Sequence, residues 1–370
     1  MPTVNEELRD YGIGHQVDLF QCSNGSVRRI IALLNRTDAD LADRLRTALE
    51  QMPAGQFNAE RLELLLLSVR SLNAQAYAAV GLDMAAVVRE LAEYEAWYQA
   101  QLFAYVLPPQ VVASVGVAAV NAQQVYAAAL SRPFQGRLLR EWASTQEATR
   151  MLRMRDEIRK GFVAQEPIPQ IVQRVIGTKA KGFADGVIQI DRRAAENVVR
   201  TAISHTAATV REAMFEDNTD IIKALAWSAT LDTRTSEICR PRDGKLYGAK
   251  APHKAIGHKF AWLGGPGVAH WNCRSSSTPI TKSLKDLKGA DIASFSPSER
   301  ASMDGTVPND LTFGKWLAKQ NAGRQIQVLG PKRYELFKAG KPLDDFYDDR
   351  GRFLTIEALR ARDTAAFGLN

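Results

Sequence analysis

The sequence predicts an α+β protein that is mainly α, and three observations predict it. Apolar residues recur at helical spacing through most of the chain before Asn218. After Asn218, short apolar segments alternate with glycine, proline and aspartate, as in short strands joined by loops. Helical patterns return towards the C-terminal end. We therefore expect an N-terminal helical bundle-like region, long central helices, a small loop-rich α+β domain with short strands, and short C-terminal helices.

The N-terminal region is predicted to be a succession of helices. Thr37 is expected to cap a helix whose leucines recur at every fourth position and share one face, namely Leu41, Leu45 and Leu49. A turn is predicted at residues 52–55, and Gly81 and Asp83 are read as a stop and a new cap. The helix after that cap carries a stripe on one face, formed by Val87, Val88, Leu91, Tyr94, Tyr98 and Leu102.

The central part is predicted to be helical as well. Residues 111–165 are rich in alanine and then in arginine, and turns punctuated by glycine follow around residues 167–186. A long helix is expected from about Arg192 to Glu216. Its stripe consists of Ala195, Val198, Val199, Ala202, Thr206, Val210 and Met214.

The loop-rich part is predicted to hold short strands. Ala224–Thr230 and Lys259–Leu263 are short apolar segments bounded by turn residues. Asp243 and Gly244 form a hairpin-turn signal, with Lys245–Tyr247 as the returning strand. Four helices are expected after this part. The first is expected to start at a capping box over Ser296–Glu299, and the others are expected over residues 312–316, 331–339 and 355–362.

Composition places the chain among soluble globular proteins. It has 370 residues, of which 45% are hydrophobic and 24% are charged. No stretch approaches the roughly 20 apolar residues of a membrane span, so no membrane partner is expected. Cys22, Cys239 and Cys273 are the only cysteines, and an odd, sparse set does not make a disulfide framework. The cysteine count therefore favours a reducing compartment.

Charge is distributed unevenly along the chain, whose formal net charge is +7. Residues 1–110 hold nine arginines, no lysine and fourteen acidic residues, so this region is acidic. Residues 132–181 hold eleven basic and five acidic residues. The basic segment is suited to face a polyanion such as double-stranded DNA. The alternative, equally open from sequence, is a helix with a charged outer face.

Metal-binding side chains concentrate in one irregular segment. Cys239, His270 and Cys273 are suited to supply three zinc ligands, and a His-x-x-Cys pair is short enough to bind one ion. A structural zinc site needs four ligands, so the fourth is left open among Asp243, His253 and His258. The alternative is that the cysteines are buried small hydrophobic residues and that the histidine bonds to backbone.

A zinc ion with three protein ligands and a water molecule would instead be catalytic. A zinc-dependent hydrolase or nuclease centred on Cys239, His270 and Cys273 is therefore the alternative function. It is disfavoured because no glutamate or aspartate lies in an obvious general-base motif beside the His-x-x-Cys pair.

The charged residues of the same segment are predicted to tie loops together. They are balanced in sign and lie in turns, where such residues are mostly structural. Arg274 is suited to a bidentate pair with Asp232 or Asp243, since a planar guanidinium matches a carboxylate. The charged set comprises Asp232, Arg234, Arg242, Asp243 and Arg274.

Three short motifs carry a family resemblance through their order and spacing. Trp227–Ser236 reads Trp-x-Ala-Thr-Leu-Asp-x-Arg-Thr-Ser, Cys239–Tyr247 contains Arg242, Asp243, Gly244 and Tyr247, and His270–Ser275 reads His-Trp-Asn-Cys-Arg-Ser with Asn272 at its centre. Together they resemble the phage Mu protein F-like minor head protein, or phage head-morphogenesis, family. The resemblance spans roughly residues 130–360 and is firmest over residues 190–335.

The chain departs from the family pattern at two positions. Many members carry Cys-x-x-Cys followed by His-x-x-Cys-x-Cys, which suggests a zinc site. Here Ser236 stands at the first cysteine position and Ser275 at the last. The resemblance therefore leaves two alternatives. The site binds zinc, or it is held without metal by a hydrogen-bonded and ion-paired knot that includes Asp232, Arg234, Asp243 and Arg274.

The resemblance implies a structural role and no enzymatic activity. Members are low-copy minor capsid proteins that act in head morphogenesis, and they are associated with the portal and with DNA packaging or ejection. The implied partners are the portal protein, other capsid proteins and packaged double-stranded DNA. The implied location is the interior of the phage head in the virion, after assembly in the bacterial host cytoplasm.

The resemblance and the helical patterns together predict four segments. Residues 1–110 form an N-terminal helical region, and residues 111–190 form a helical, basic connecting region. Residues 191–335 form the Mu F-like head-morphogenesis domain, and residues 336–370 form a C-terminal tail with a short helix.

Overall fold

The computed structural model describes residues 3–51, 59–282, 299–308 and 311–355. Within these residues the chain is mainly helical and carries one small antiparallel sheet, so the predicted α+β class is confirmed. The turn predicted at residues 52–55 lies outside the described residues, as does the last predicted helix beyond Thr355.

Seven helices precede the sheet in the described part of the chain, and four of them have 25 residues or more. They are α1 (Val4–Glu50), α2 (Ala59–Val106), α3 (Pro109–Val115), α4 (Ala122–Ser131), α5 (Leu139–Val163), α6 (Ile168–Ile176) and α7 (Val187–Asp217). The stripe predicted for the long central helix is buried along α7. α7 begins at Val187, earlier than the predicted start near Arg192. The carbonyl of Gly186 already accepts from the N–H of Ile190, which forms the first helical turn.

Two helix boundaries predicted inside α1 and α2 are wrong. Thr37 lies within α1 and its hydroxyl donates to the carbonyl of Leu33 at 3.0 Å, a bond that threonine makes inside helices. Gly81 and Asp83 lie within α2. Asp83 pairs with Arg29 at 2.9 Å rather than capping a new helix.

The chain divides into two compact units, each made of separate parts of the sequence. The sheet unit comprises residues 1–20, 92–125 and 204–370, and the helical unit comprises residues 21–91 and 126–203. The predicted boundaries at residues 110, 190 and 335 stay predictions.

The sheet unit contains a four-stranded antiparallel sheet with the order β3-β2-β1-β4. Its strands are β1 (Ile222–Ser228), β2 (Leu246–Gly248), β3 (Ala255–Ile256) and β4 (Ser276–Thr281). Every residue of the central strand β1 except Lys223 is buried. Leu225 pairs with Tyr247 of β2 on one side and with Pro279 of β4 on the other.

Two details of the predicted strands are corrected. β1 and β2 are antiparallel neighbours, but residues 229–245 join them, so Asp243 and Gly244 do not form a tight hairpin turn. Instead Gly244 adopts a φ of 76°, which glycine tolerates, and its N–H donates to the Trp227 carbonyl at 2.8 Å. Residues 259–263 form a loop rather than a strand.

Beyond the sheet, a two-stranded hairpin and three short helices complete the described part of the sheet unit. They are β5 (Glu299–Ser302), β6 (Gly305–Pro308), α8 (Phe313–Ala318), α9 (Ala322–Leu329) and α10 (Pro331–Lys338). Thr312 caps α8 as predicted, accepting from the N–H of Lys315 at 3.4 Å. The helix predicted to start at the Ser296–Glu299 capping box is wrong, because Glu299 begins strand β5 and pairs with β6.

Each unit has its own apolar core. In the sheet unit, Trp227, Tyr247 and Trp262 pack together with Cys239 and Cys273. In the helical unit, the predicted leucine face of α1 packs against buried residues of α5, α6 and α7. In the part of the chain that is described, no helix has both the length and the apolar character needed to cross a bilayer.

Candidate metal centre

Three metal-binding side chains converge in the sheet unit. The Sγ atom of Cys239 lies 3.1 Å from Nε2 of His270 and 3.8 Å from Sγ of Cys273. All three donor atoms lie within 4.8 Å of one another. Cys239 precedes the short 3-10 turn Arg240–Arg242, and Cys273 lies shortly before β4, so two loops meet at this cluster.

Ser236 completes the group. Its Oγ lies 2.8 Å from Nε2 of His270 and accepts from the backbone N–H of Cys239 at 3.2 Å. On the other side of the ring, Nδ1 of His270 donates to the carbonyl of Trp271 at 2.8 Å. Because a carbonyl only accepts, this bond fixes the proton on Nδ1 of the neutral ring and leaves the Nε2 lone pair facing the cluster.

The surroundings give the two cysteines different acidities. Burial raises the pKa of Cys239 well above its ordinary value. The pKa of Cys273 is lowered to about 7, chiefly by the hydrogen bond from Cys239 and against the effect of burial. The N–H of Gly267 also donates to its sulfur at 3.2 Å. Burial acts to lower the pKa of His270, but the contact with Cys239 outweighs it and raises that pKa.

The separation of the two cysteine sulfurs suits a zinc ion. A tetrahedral site with zinc–sulfur bonds of about 2.3 Å has sulfur–sulfur edges of about 3.8 Å. The separation of the Cys239 and Cys273 sulfurs is 3.8 Å. A serine hydroxyl is not among the usual zinc ligands, so Ser236 would hold a water molecule in the fourth position.

The three other residues considered as a fourth ligand lie elsewhere. Asp243 accepts from the N–H groups of Ala229 and Phe313, each at 2.7 Å. His253 bonds to the Gly248 carbonyl. His258 bonds to the Leu246 carbonyl. None of the three belongs to the metal-binding group found among the described residues.

An ion pair ties the same loops together. Arg274 forms a bidentate pair with Asp232, with Nη2 at 2.7 Å from Oδ1 and Nη1 bonded to Oδ2. Burial acts to raise the pKa of Asp232, but Arg274 outweighs it and holds that pKa below its usual value. Oδ1 also accepts from the N–H of Arg234, whose side chain is exposed.

Arg242 is fully buried and binds backbone rather than a carboxylate. Its guanidinium lies between the rings of Trp227 and Phe260, 5.6 Å from each centroid. It donates to four carbonyls, those of Ile238 at 2.6 Å, Ala261 at 2.9 Å, Asp349 at 3.1 Å and Arg350 at 3.3 Å. The side chain therefore joins three separate loops.

The remaining motif residues have packing or backbone roles. Tyr247 is fully buried, with its ring centroid 4.8 Å from that of Trp262. Asn272 has a φ of 53°, a conformation that asparagine tolerates better than most residues.

Sequence reasoning missed Ser236 and Arg240 as members of the knot. The family pattern predicts that Ser236 replaces a ligand, whereas its hydroxyl lies beside His270. Arg240 donates to the carbonyl of Thr235 at 2.7 Å and to that of Val328 at 3.0 Å. No sequence pattern signals a carbonyl partner so far along the chain as Val328. The one sequence feature that points to Arg240 is its position between Cys239 and Arg242.

The basic segment 132–181 is largely neutralised within the helical unit. At least six of its eleven basic side chains form ion pairs with acidic residues. Arg150 is the extreme case, because it is buried against Asp38. Arg137 and Arg140 are exposed. The charged-helix alternative therefore accounts for much of this segment.

Comparison with known proteins assigns the part of the chain that contains the cluster. Residues 150–278 match the family model described as Phage Mu protein F like protein. No curated protein and no solved structure matches the chain. The matched range includes the cysteine and histidine cluster and the pair of Asp232 with Arg274. The segment from residue 150 to residue 278 therefore belongs to the Phage Mu protein F-like family, a family of structural head-morphogenesis proteins.

Proposed function

We propose that the chain is a minor capsid protein of a tailed phage or prophage that associates with the portal in the head interior. The observation that carries the proposal is the family match over residues 150–278. The geometry of the matched segment supports a structural role, because the side chains that join its loops are buried or paired with one another. Cys239 and Cys273 are 1% and 0% exposed, whereas a catalytic zinc keeps a position open to substrate.

The alternative function, a zinc-dependent hydrolase or nuclease, has less support. Among the described residues, the metal-binding group holds no aspartate or glutamate that would act as a general base. The nearby carboxylate of Asp232 is held by Arg274. We therefore assign the cluster a scaffolding role.

Association with the portal is tested by co-expressing the chain with the portal protein of the same phage. We expect the two to co-elute in size-exclusion chromatography, whereas the portal protein of an unrelated phage should elute alone. Particles made without the gene should lose infectivity. Failure to co-elute, together with fully infectious particles from the deletion strain, would refute the proposal.

We further propose that Cys239, His270 and Cys273 hold a zinc ion, with a water molecule beside Ser236 in the fourth position. This ligand set is typical of a catalytic zinc. We assign the ion a scaffolding role because both sulfurs are buried and the group holds no acidic residue that could act as a general base. A bound zinc would lock together the two loops that already meet there. Mass spectrometric metal analysis of protein from zinc-supplemented cells should find about one zinc per chain.

The matched control for the metal site is the exposed Cys22, which lies outside the cluster. Cys22→Ser should keep the zinc and Cys273→Ser should lose it. A wild-type chain free of metal would mean that hydrogen bonds alone hold the knot.

Contact with packaged DNA is proposed for the exposed Arg137 and Arg140. Loss of two phosphate contacts should lower the slope of log affinity against log salt by about 2 for a double alanine variant. Arg46→Ala is the matched control, because Arg46 is exposed and lies outside the basic segment. An unchanged slope in the double variant would argue against this contact.

A further inference from the structure

The sheet unit carries an aromatic surface that the proposed head-assembly role does not explain. Four large aromatic side chains of α1 and α2 are exposed by more than two fifths, namely Tyr11 (43%), Tyr94 (46%), Trp97 (58%) and Tyr105 (72%). With the half-buried Tyr98 they form what we call the aromatic face. Tyrosine and tryptophan are the residue types most enriched at the centres of protein interfaces.

The aromatic side chains are held in place by one another. Tyr11 and Tyr105 meet edge to face with centroids 5.7 Å apart. Tyr94 lies 6.0 Å from Trp97 and 6.2 Å from Tyr98. The Tyr98 hydroxyl donates to the Tyr11 carbonyl at 3.1 Å, which joins α2 to α1.

A buried polar cluster supports the face from below. The ring of His15 stacks on Tyr98 at a centroid distance of 3.6 Å, and its Nε2 lies 2.5 Å from the fully buried Glu95. Arg211 of α7 lies 3.4 Å from the same carboxylate. The exposed rings are therefore ordered before any partner arrives, which lowers the entropic cost of binding.

The charged residues in the two segments that carry the face are almost all negative. Residues 1–20 and 92–106 contain Arg9 as their single arginine and contain no lysine. The acidic residues there that are exposed or half-buried are Glu6, Glu7, Asp10, Asp18 and Glu93. The pKa of Tyr11 is raised, first by its hydrogen bond with Tyr105 and among weaker causes by the charges of Glu7 and Asp10.

We propose that the aromatic face binds a protein segment rich in arginine and lysine. Guanidinium and ammonium groups stack on tyrosine and tryptophan faces, and the flanking carboxylates complement their charge. The same carboxylates repel DNA phosphates and anionic lipid. A second copy docking face to face would set acidic residues against acidic residues, so we take the partner to be a different, basic protein.

The partner is tested in assembled particles with a photocrosslinking amino acid in place of Trp97. A matched chain carries the same group in place of Leu82, which is 75% exposed in α2 but belongs to the helical unit. We expect position 97 to crosslink a protein, at a peptide rich in arginine and lysine, with a higher yield than position 82. Crosslinks to DNA, crosslinks to a second copy, or equal yields at both positions would overturn the proposal.

The chemistry is tested with purified chain and fluorescently labelled deca-arginine. Trp97→Ala and Tyr105→Ala leave the net charge unchanged, yet each should weaken binding by about tenfold. Leu82→Ala should bind as the wild type does, and thermal unfolding of every variant should match it. Equal affinity in all chains would mean attraction by charge alone and would overturn the aromatic contribution. This measurement needs no portal protein, so it is independent of the test of head assembly.

Discussion

At the scale of single residues, the knot depends on side chains that donate hydrogen bonds to several loops at once. Arg242 is the clearest case, because a buried cation usually has a carboxylate partner and this one has four backbone carbonyls. Burial lowers the pKa of its guanidinium. The planar, five-donor geometry of arginine is what allows one side chain to serve these loops.

We predict that Arg242→Lys lowers the free energy of unfolding by about 3 kcal/mol or more, because lysine leaves several buried carbonyls without a donor. Urea unfolding followed by tryptophan fluorescence measures the change. The control is Arg234→Ala, whose exposed side chain should matter by less than about 0.5 kcal/mol. Equal midpoints for the two variants would contradict this role of Arg242.

The pair of Asp232 with Arg274 predicts a pH dependence. The pKa of Asp232 in the folded chain lies below its unfolded value of about 3.9. The pair therefore contributes stability above pH 4 and loses it as the pH falls towards the folded pKa. Asp232→Asn should be less stable than wild type at pH 7, and the difference should shrink below pH 4. A difference in melting temperature that stays constant from pH 7 to pH 3 would contradict this assignment.

The sequence narrowed the partner of Arg274 to Asp232 or Asp243 but did not choose between them. Asp243 is occupied by the N–H groups of Ala229 and Phe313. Phe313 lies 70 positions further along the chain. The spacing of residues near Arg274 therefore could not predict which of the two aspartates pairs with it.

At the scale of elements, the sequence predicted which faces are buried better than where helices end. The leucine face of α1 and the stripe of α7 are buried as expected. The stripe of α2 is only partly so, because Tyr94 is exposed. The prediction of a helix break near Gly81 was wrong. The free energy that a glycine costs inside a helix is small compared with that gained by packing a long helix.

Gly81→Ala tests whether α2 is continuous through this position. A Cβ at Gly81 would meet the Cβ of Ala143 at 3.5 Å, an ordinary contact. We predict a gain of about 0.5–1 kcal/mol in unfolding free energy, because alanine favours the helix interior. Gly161→Ala in α5 is the contrasting control, since its Cβ would lie 2.7 Å from Cγ1 of Ile171 and should destabilise. A Gly81→Ala chain less stable than wild type would support the predicted helix break at this position.

At the scale of the whole molecule, motif order predicted more than composition did. The three motifs from Trp227 to Ser275 indicated the family, and the family match covers them. The two compact units could not be predicted in the same way. Each unit is assembled from stretches far apart in the chain, and their contacts leave no periodic signal in the sequence.

Because the chain divides into two compact units, we can predict which residues lose protection from hydrogen exchange when a side chain of one unit is replaced. The sheet unit contains the cysteine and histidine cluster, whereas the helical unit has its own buried network, in which Asp38 pairs with Arg150 and with Arg192. Cys273→Ser should therefore increase amide hydrogen exchange in peptides from residues 222–281 and leave residues 139–176 protected. Mass spectrometry of exchange at matched times measures both, with Cys22→Ser as the control. Equal loss of protection in both ranges would mean that the knot stabilises the whole molecule and not only the unit that contains it.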